Sequence, residues 1–426
     1  MSRARIARRL PRPILVPALA LFAVLAVVLR LGPYALAMVQ QEASSPTGTQ
    51  LASAPYSKRG PQPVGVRRLA VDPAIARRAT IWYPARPAED AAPGTTYAYE
   101  LTLFAPLGRL AIATHRGDAS RDVPPDLESG PYPLVVLSPG YAIGSGAYAW
   151  LAEHLASYGL VVVSPEPDEE LNPSLIWRST ITRPRAMRDL LAQLDEQSRP
   201  GEALHGLIDP LHTAVIGHSY GGYTALAAAG ARLDTDAFQA RCDAEHAAAG
   251  PNRWLCDALT PHSHEMAELA GLASVPSGLW PAWKAPGVDA IVSMAGDAYL
   301  FDRAGLAEIS VPVLAIGGTA DTDTPYSWGT QPTYDFTSSA MKAKVTLHDA
   351  GHMVFTGPCN RVRRLMTILP GGFCADSSWD RGRAQALVRH YTTAFLLAQL
   401  RGDASATAEL ARADSPLPDV SYETRR

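Results

Sequence analysis

The sequence predicts an α/β fold, a mostly parallel central sheet flanked by helices and carrying a helical insertion. Three observations predict it. Short, continuously apolar runs alternate with helical stretches from Leu134 to Leu400. One of those runs feeds into a glycine-flanked serine and then directly into a helix. A stretch without strand character, 232–285, interrupts the rhythm. Strands that are apolar throughout, not alternately, belong in sheets covered on both faces.

The chain has 426 residues, a net charge of −3, 47% hydrophobic and 19% charged residues. This is a globular composition, with none of the basic excess that nucleic acid would attract. Residues 1–38 open with Arg3, Arg5, Arg8, Arg9 and Arg12, followed by an apolar run from Ile14 to Leu29 and the small-residue stretch Ala35-Leu36-Ala37. A basic, an apolar and an A-x-A-like segment together read as an export signal. Extended to Met38, the run is long enough to remain as an anchor, which would tie the protein to a membrane. Residues 39–60 are rich in Ser, Thr, Gln, Ala and Pro and read as a linker. The folded domain is expected over 61–401, and 402–426 as a loose tail.

Within the domain, Val64 to Val71 and Ala79 to Tyr83 read as edge strands. Residues 84–131 hold many Pro, Gly and Asp and are expected to wander over the surface. Leu134-Val135-Val136-Leu137, Leu160-Val161-Val162-Val163, Thr213-Ala214-Val215-Ile216, Ala290 to Met294, Val311 to Ile316 and Val345-Thr346-Leu347 read as core strands. Helices fit Ala147 to Ser157, Pro184 to Gln197, Tyr223 to Ala231 and Arg383 to Leu400. The insertion, with Trp254, Trp280 and Trp283, is expected to be mostly helical, serving as a lid over the carboxyl end of the sheet or as decoration.

Four cysteines suit an oxidising compartment. Short loops favour Cys242 with Cys256 and Cys359 with Cys374. The spacings lack the C-x-x-C or Cys/His pattern of a zinc site.

Gly217-His218-Ser219-Tyr220-Gly221-Gly222 is G-x-S-x-G between a strand and a helix. That context makes Ser219 a nucleophile on a sharp turn, with a helix N-terminus behind it where negative charge develops. Serine needs a base, and on such a scaffold the acid and then the histidine follow in the chain. His352, in the glycine loop after the last core strand, is the expected base. His348, at the strand end, competes with it. His212 and His218 come too early in the chain. Asp321, after Val313 to Gly318, is the expected partner of the histidine. Asp323 is a close rival and Asp297 a more distant one. Tetrahedral intermediates need backbone donors, expected from the amides of Tyr220 and of Tyr141 in Ser138-Pro139-Gly140-Tyr141. This set needs no metal or cofactor.

The segments Trp82-Tyr83-Pro84, Leu137-Ser138-Pro139-Gly140-Tyr141, Gly217 to Gly222 and Gly351-His352 resemble those of bacterial platelet-activating-factor acetylhydrolase-like and dienelactone-hydrolase-like α/β-hydrolases. Bacterial polyester hydrolases and cutinases look similar around the loop at Ser138 and the D-x-x-x-P element. Here that element runs from Asp321 to Pro325, which supports Asp321 over Asp323. The resemblance spans roughly residues 60 to 400. It implies an exported serine hydrolase acting on lipid-like or short-acyl carboxylic esters, with polyester hydrolysis, peptide hydrolysis or non-catalytic binding as alternatives. Dienelactone hydrolases use cysteine where this chain has Ser219, so that activity is not expected. The insertion departs from compact polyester hydrolases.

Overall fold

The apolar runs become neighbours in one sheet because each is covered by helices on both sides. The computed structural model describes residues 54–86, 94–103, 108–357, 379–412, 417 and 419–425. The leader, most of the linker, Cys359 and Cys374 lie outside the described residues.

The strands are β1 (Val64–Leu69), β2 (Arg78–Pro84), β3 (Thr96–Thr102), β4 (Arg109–Arg116), β5 (Ser120–Arg121), β6 (Tyr132–Ser138), β7 (Val161–Glu166), β8 (Ile208–His218), β9 (Val288–Met294), β10 (Val313–Gly318), β11 (Lys342–Leu347) and β12 (Val420–Arg425). Ten of them form one sheet in the order β12-β11-β10-β9-β8-β6-β7-β2-β1-β5, while β3 and β4 form a separate hairpin. The six strands from β11 to β7 in this order are mutually parallel. Antiparallel pairs flank them, β12 on β11 and β2 on β7. Helices α1 (Ala149–Ser157), α2 (Ile176–Gln197), α3 (Tyr220–Ala228), α4 (Thr235–Ala247), α5 (Arg253–Leu259), α6 (Ser263–Leu269), α7 (Asp302–Leu306), α8 (Thr330–Phe336), α9 (Arg381–Arg401) and α10 (Ala404–Leu410) connect and cover the strands.

Period two explains the two cores. In β6, Val135 and Leu137 share one cluster with Leu151 of α1 and Phe395 of α9. Leu134 and Val136 share the other with Leu190 of α2 and Leu226 of α3. The strand order reverses between β6 and β8, which places the ends of both at a switch point, where open α/β sheets form their crevices.

Four expectations need correction. Residues 84–131 hold the β3–β4 hairpin and β5, with Tyr97, Tyr99 and Leu101 buried at alternate positions. The linker's last residues already pack on the body: the Gly60 amide donates to Ser157 Oγ at 2.8 Å. The tail carries α10 and β12, with Val420 and Tyr422 buried. Finally, α2 begins at Ile176, so Pro184 lies inside it. Proline removes the N–H that would bond the Thr180 carbonyl. The Tyr223 hydroxyl donates to that carbonyl instead, at 2.7 Å.

The insertion is helical, as expected, and holds α4, α5 and α6 between β8 and β9. The Cys242–Cys256 disulfide ties α4 to α5. Trp177 of α2 stacks on His262, with ring centroids 5.0 Å apart. Among the described residues, no helix is long and apolar enough to cross a membrane.

Candidate active site

Ser219 caps α3 immediately after β8, with φ 58° and ψ −125°. A non-glycine residue there is strained by roughly 1–3 kcal/mol and must be held by its surroundings. Its N–H donates to the Met294 carbonyl at 3.0 Å, and its own carbonyl accepts from Gly222 at 2.8 Å. The glycines permit the turn sterically. A Cβ on Gly217 would sit 2.1 Å from the Gly221 carbonyl oxygen, and one on Gly221 only 2.0 Å from that of Ser138. The first turn of α3 therefore lies against the loop after β6. Ser219 itself is only partly buried.

His352 sits in a short 3-10 turn after β11, capped by Gly351. Its ring lies against that of His218, the residue before Ser219, with centroids 4.6 Å apart. Asp321 Oδ2 accepts from His352 Nδ1 at 2.7 Å, and both side chains are buried. Because a carboxylate only accepts, Nδ1 carries a proton in either charge state, and in the neutral ring Nε2 is left with a lone pair. Asp321 Oδ1 accepts from the amides of Asp323 and Thr324, at 2.9 and 2.8 Å, which fixes the carboxylate. Burial disfavours the charged imidazole, but Asp321, aided by Asp323 and Asp297, outweighs it and raises the His352 pKa to about 9.

The rivals are placed elsewhere. Asp323 is exposed. Asp297 is buried after β9, and its carboxylate accepts from Thr324 Oγ1 at 2.7 Å. It therefore reaches Asp321 through Thr324. Burial pushes its pKa up to about 7, against the pull of Thr324 and His352. His348 Nε2 pairs with Ser421 Oγ of β12 at 2.7 Å. His212 pairs with Asp209 at the surface.

Tyr220 is the first residue of α3, where amides have no partner inside the helix. No acceptor for the Tyr141 amide is found among the described residues. The two rings meet edge to face, with centroids 6.0 Å apart. The Tyr141 hydroxyl donates to the Asn172 carbonyl at 3.0 Å.

The sequence alone does not show the bridging roles of two residues behind the site, Tyr148 and His218. The Tyr148 hydroxyl accepts from the Gly140 amide at 3.0 Å and pairs with His218 Nδ1 at 2.9 Å. His218 Nε2 in turn donates to the His352 carbonyl at 3.1 Å. His218 is fully buried, and burial holds its pKa well below the ordinary value, so it stays neutral. This chain of bonds links the loop after β6, the residue before Ser219 and the loop of His352. The available signal was His218 itself: a titratable group in an apolar strand must find partners.

A strained serine between a parallel strand and a helix, a following carboxylate–histidine pair and this sheet order decide the architecture. This is the α/β-hydrolase fold. The chlorophyllase family model matches residues 123–240, a stretch that includes both Ser138 to Tyr141 and Gly217 to Gly222. Among curated α/β-hydrolase relatives, cutinase est1 of Thermobifida alba is 25% identical over 53% of this chain and 55% of its own length. Cutinase 2 of Thermobifida cellulosilytica is 34% identical over 26% of this chain and 39% of its own length. A bis(hydroxyethyl) terephthalate hydrolase of Streptomyces coelicolor is 25% identical over 54% and 53%. The chain thus spans about half, or less, of the length of these relatives.

Proposed function

We propose that this α/β-hydrolase is an exported serine hydrolase that cleaves carboxylic esters through an acyl-enzyme, with Ser219, His352 and Asp321 as its catalytic triad. The observation that carries this reading is the strained Ser219, next in the chain to the His218 whose ring meets His352, together with a His352 whose Nδ1 is taken by Asp321. In the proposed reaction Ser219 Oγ attacks the ester carbonyl while His352 Nε2 takes the hydroxyl proton. The amides of Tyr141 and Tyr220 hold the oxyanion. His352 then gives its proton to the departing alcohol, and water repeats the sequence to release the acid. Asp321 keeps Nδ1 protonated and stabilises the imidazolium.

Lipid-like and short-acyl esters are the proposed substrates, in keeping with the acetylhydrolase-like segments. A second reading, polyester hydrolysis, is favoured by the similarity to cutinases and to a terephthalate hydrolase. Export is supported by the arginine-rich, apolar N-terminus and by the Cys242–Cys256 disulfide.

Fluorophosphonate labelling tests the chemistry. Modification of Ser219 in the wild type and none in Ser219→Ala is expected; an unmodified wild type means a binding protein. A panel of p-nitrophenyl esters of graded length, run beside an amorphous polyester film, separates the substrates. Preference for acetyl esters with no film erosion supports the first reading.

A further inference from the structure

The proposed chemistry leaves one buried ion pair without a task. Arg183, on α2, and Glu169, after β7, have side chains only 1% and 5% exposed. Arg183 Nε donates to Glu169 Oε1 and Nη2 to Oε2, each at 2.6 Å. The remaining guanidinium donors are directed at one stretch of backbone. Nη1 donates to the Pro139 carbonyl at 2.7 Å and Nη2 to the Gly140 carbonyl at 3.1 Å. From the other side, the Ala142 amide donates to Glu169 Oε2 at 3.2 Å. The pair grips the chain on both sides of Tyr141 and leaves the Tyr141 amide alone.

Geometry gives this grip a direction. The Gly140 carbonyl and the Tyr141 N–H belong to the same peptide unit, which is planar and trans. They point opposite ways, so a carbonyl fixed toward Arg183 aims the amide away from it. A charged donor on the carbonyl oxygen also polarises the unit and strengthens its N–H as a donor. Stability offers little alternative reason for the pair, since buried ion pairs are often matched or bettered by apolar packing.

We infer that Glu169 and Arg183 are positioning residues, which set the direction and strength of the Tyr141 amide as an oxyanion donor. This rests on the reading of Tyr141 given above. With side chains only 1% and 5% exposed, the pair acts through the backbone that it holds. Each holds the other ionised, with burial opposing both charges: the Glu169 carboxyl lies below its usual range and Arg183 above its own. The grip is therefore constant over the working pH range.

The experiment uses the full chain with Arg183→Met, Arg183→Lys and Glu169→Gln beside wild type and Ser219→Ala. Hydrolysis of p-nitrophenyl butyrate gives kcat and KM, a boronic acid reports affinity for a tetrahedral adduct, and circular dichroism reports folding. Loss of an oxyanion donor outright lowers kcat by about 10²–10³. For Arg183→Met we expect roughly a 10- to 100-fold fall in kcat, KM within about threefold, and boronate affinity falling in parallel with kcat/KM. Arg183→Lys should lie in between, and the pH midpoint should not move. Folded Arg183→Met with kcat within threefold of wild type overturns the inference, as does a loss confined to KM. Should Arg183→Met fail to fold, the same criteria apply to Arg183→Lys and Glu169→Gln. An inactive wild type with unlabelled Ser219 overturns the hydrolase reading and this inference together; an active wild type indifferent to Arg183 overturns this inference alone.

Discussion

Two buried carboxylates, Asp321 and Glu169, are each bound to a cationic partner, and they behave differently. Asp321 holds an imidazole whose proton can leave. Glu169 holds a guanidinium whose proton cannot. The first pair changes charge during the proposed reaction and carries the proton. The second keeps one charge state and holds three backbone groups in place. The difference lies in the partner, since both acids are buried and both accept two-sided hydrogen bonds.

The comparison can be broken most severely at the group both pairs serve. Ser219→Ala should lower kcat on the order of 10⁶-fold in the ester assay, whatever the state of either pair. At the proton-carrying pair, Asp321→Asn should cost about 10⁴-fold in kcat, because the amide favours the wrong histidine tautomer. The exposed Asp323→Asn should stay within about threefold; equal losses in the two variants would put the acid elsewhere.

Charge constancy separates the pairs next. Only neutral His352 accepts a proton, so kcat/KM should rise with pH through a midpoint near 9, above the roughly 6.5 of free histidine. A pH–rate profile with its rising limb near 6.5 would contradict the influence of Asp321.

Stability should rank the pairs in the opposite order. Arg183→Met strands Glu169 as an uncompensated buried charge and should cost about 3–5 kcal/mol in urea unfolding. Asp321→Asn keeps its backbone acceptor geometry and should cost about 1–3 kcal/mol. Linkage adds a pH-dependent test of the same pair. The folded-state pKa of His352 is raised, so its contribution to stability is complete below about pH 6.5. That contribution is lost as pH rises through about 9. Unfolding of His352→Gln followed across that window should lack the decline.

What was legible in the sequence follows the range of the interactions involved. The sharp turn at Ser219 is legible because strand, glycines and helix are contiguous. The Asp321–His352 pairing is legible because each residue follows its own strand. The core strands were legible because burial on both faces makes them apolar throughout. The flanks were misjudged where composition masked pattern. Thr96 to Thr102 alternates polar and apolar residues amid prolines and glycines, and Val420 and Tyr422 alternate in a polar tail. Pro184 looked like a helix start because nothing local announces that Tyr223 will take up the freed carbonyl. Tyr148, His218 and the Glu169–Arg183 pair acquire meaning only once loops distant in sequence converge on the nucleophile turn.

The strand β12 has a consequence for handling the protein. It covers the outer rim of β11 along six residue pairs, from Lys342–Arg425 to Leu347–Val420. Proteolytic trimming ahead of Val420 would bare that rim's amides and carbonyls beside an apolar strand, and bare rims of this kind recruit strands from other molecules. Clipped preparations should therefore precipitate or form strand-paired assemblies while the serine turn, at the end of β8 and three strands from β11, is still folded.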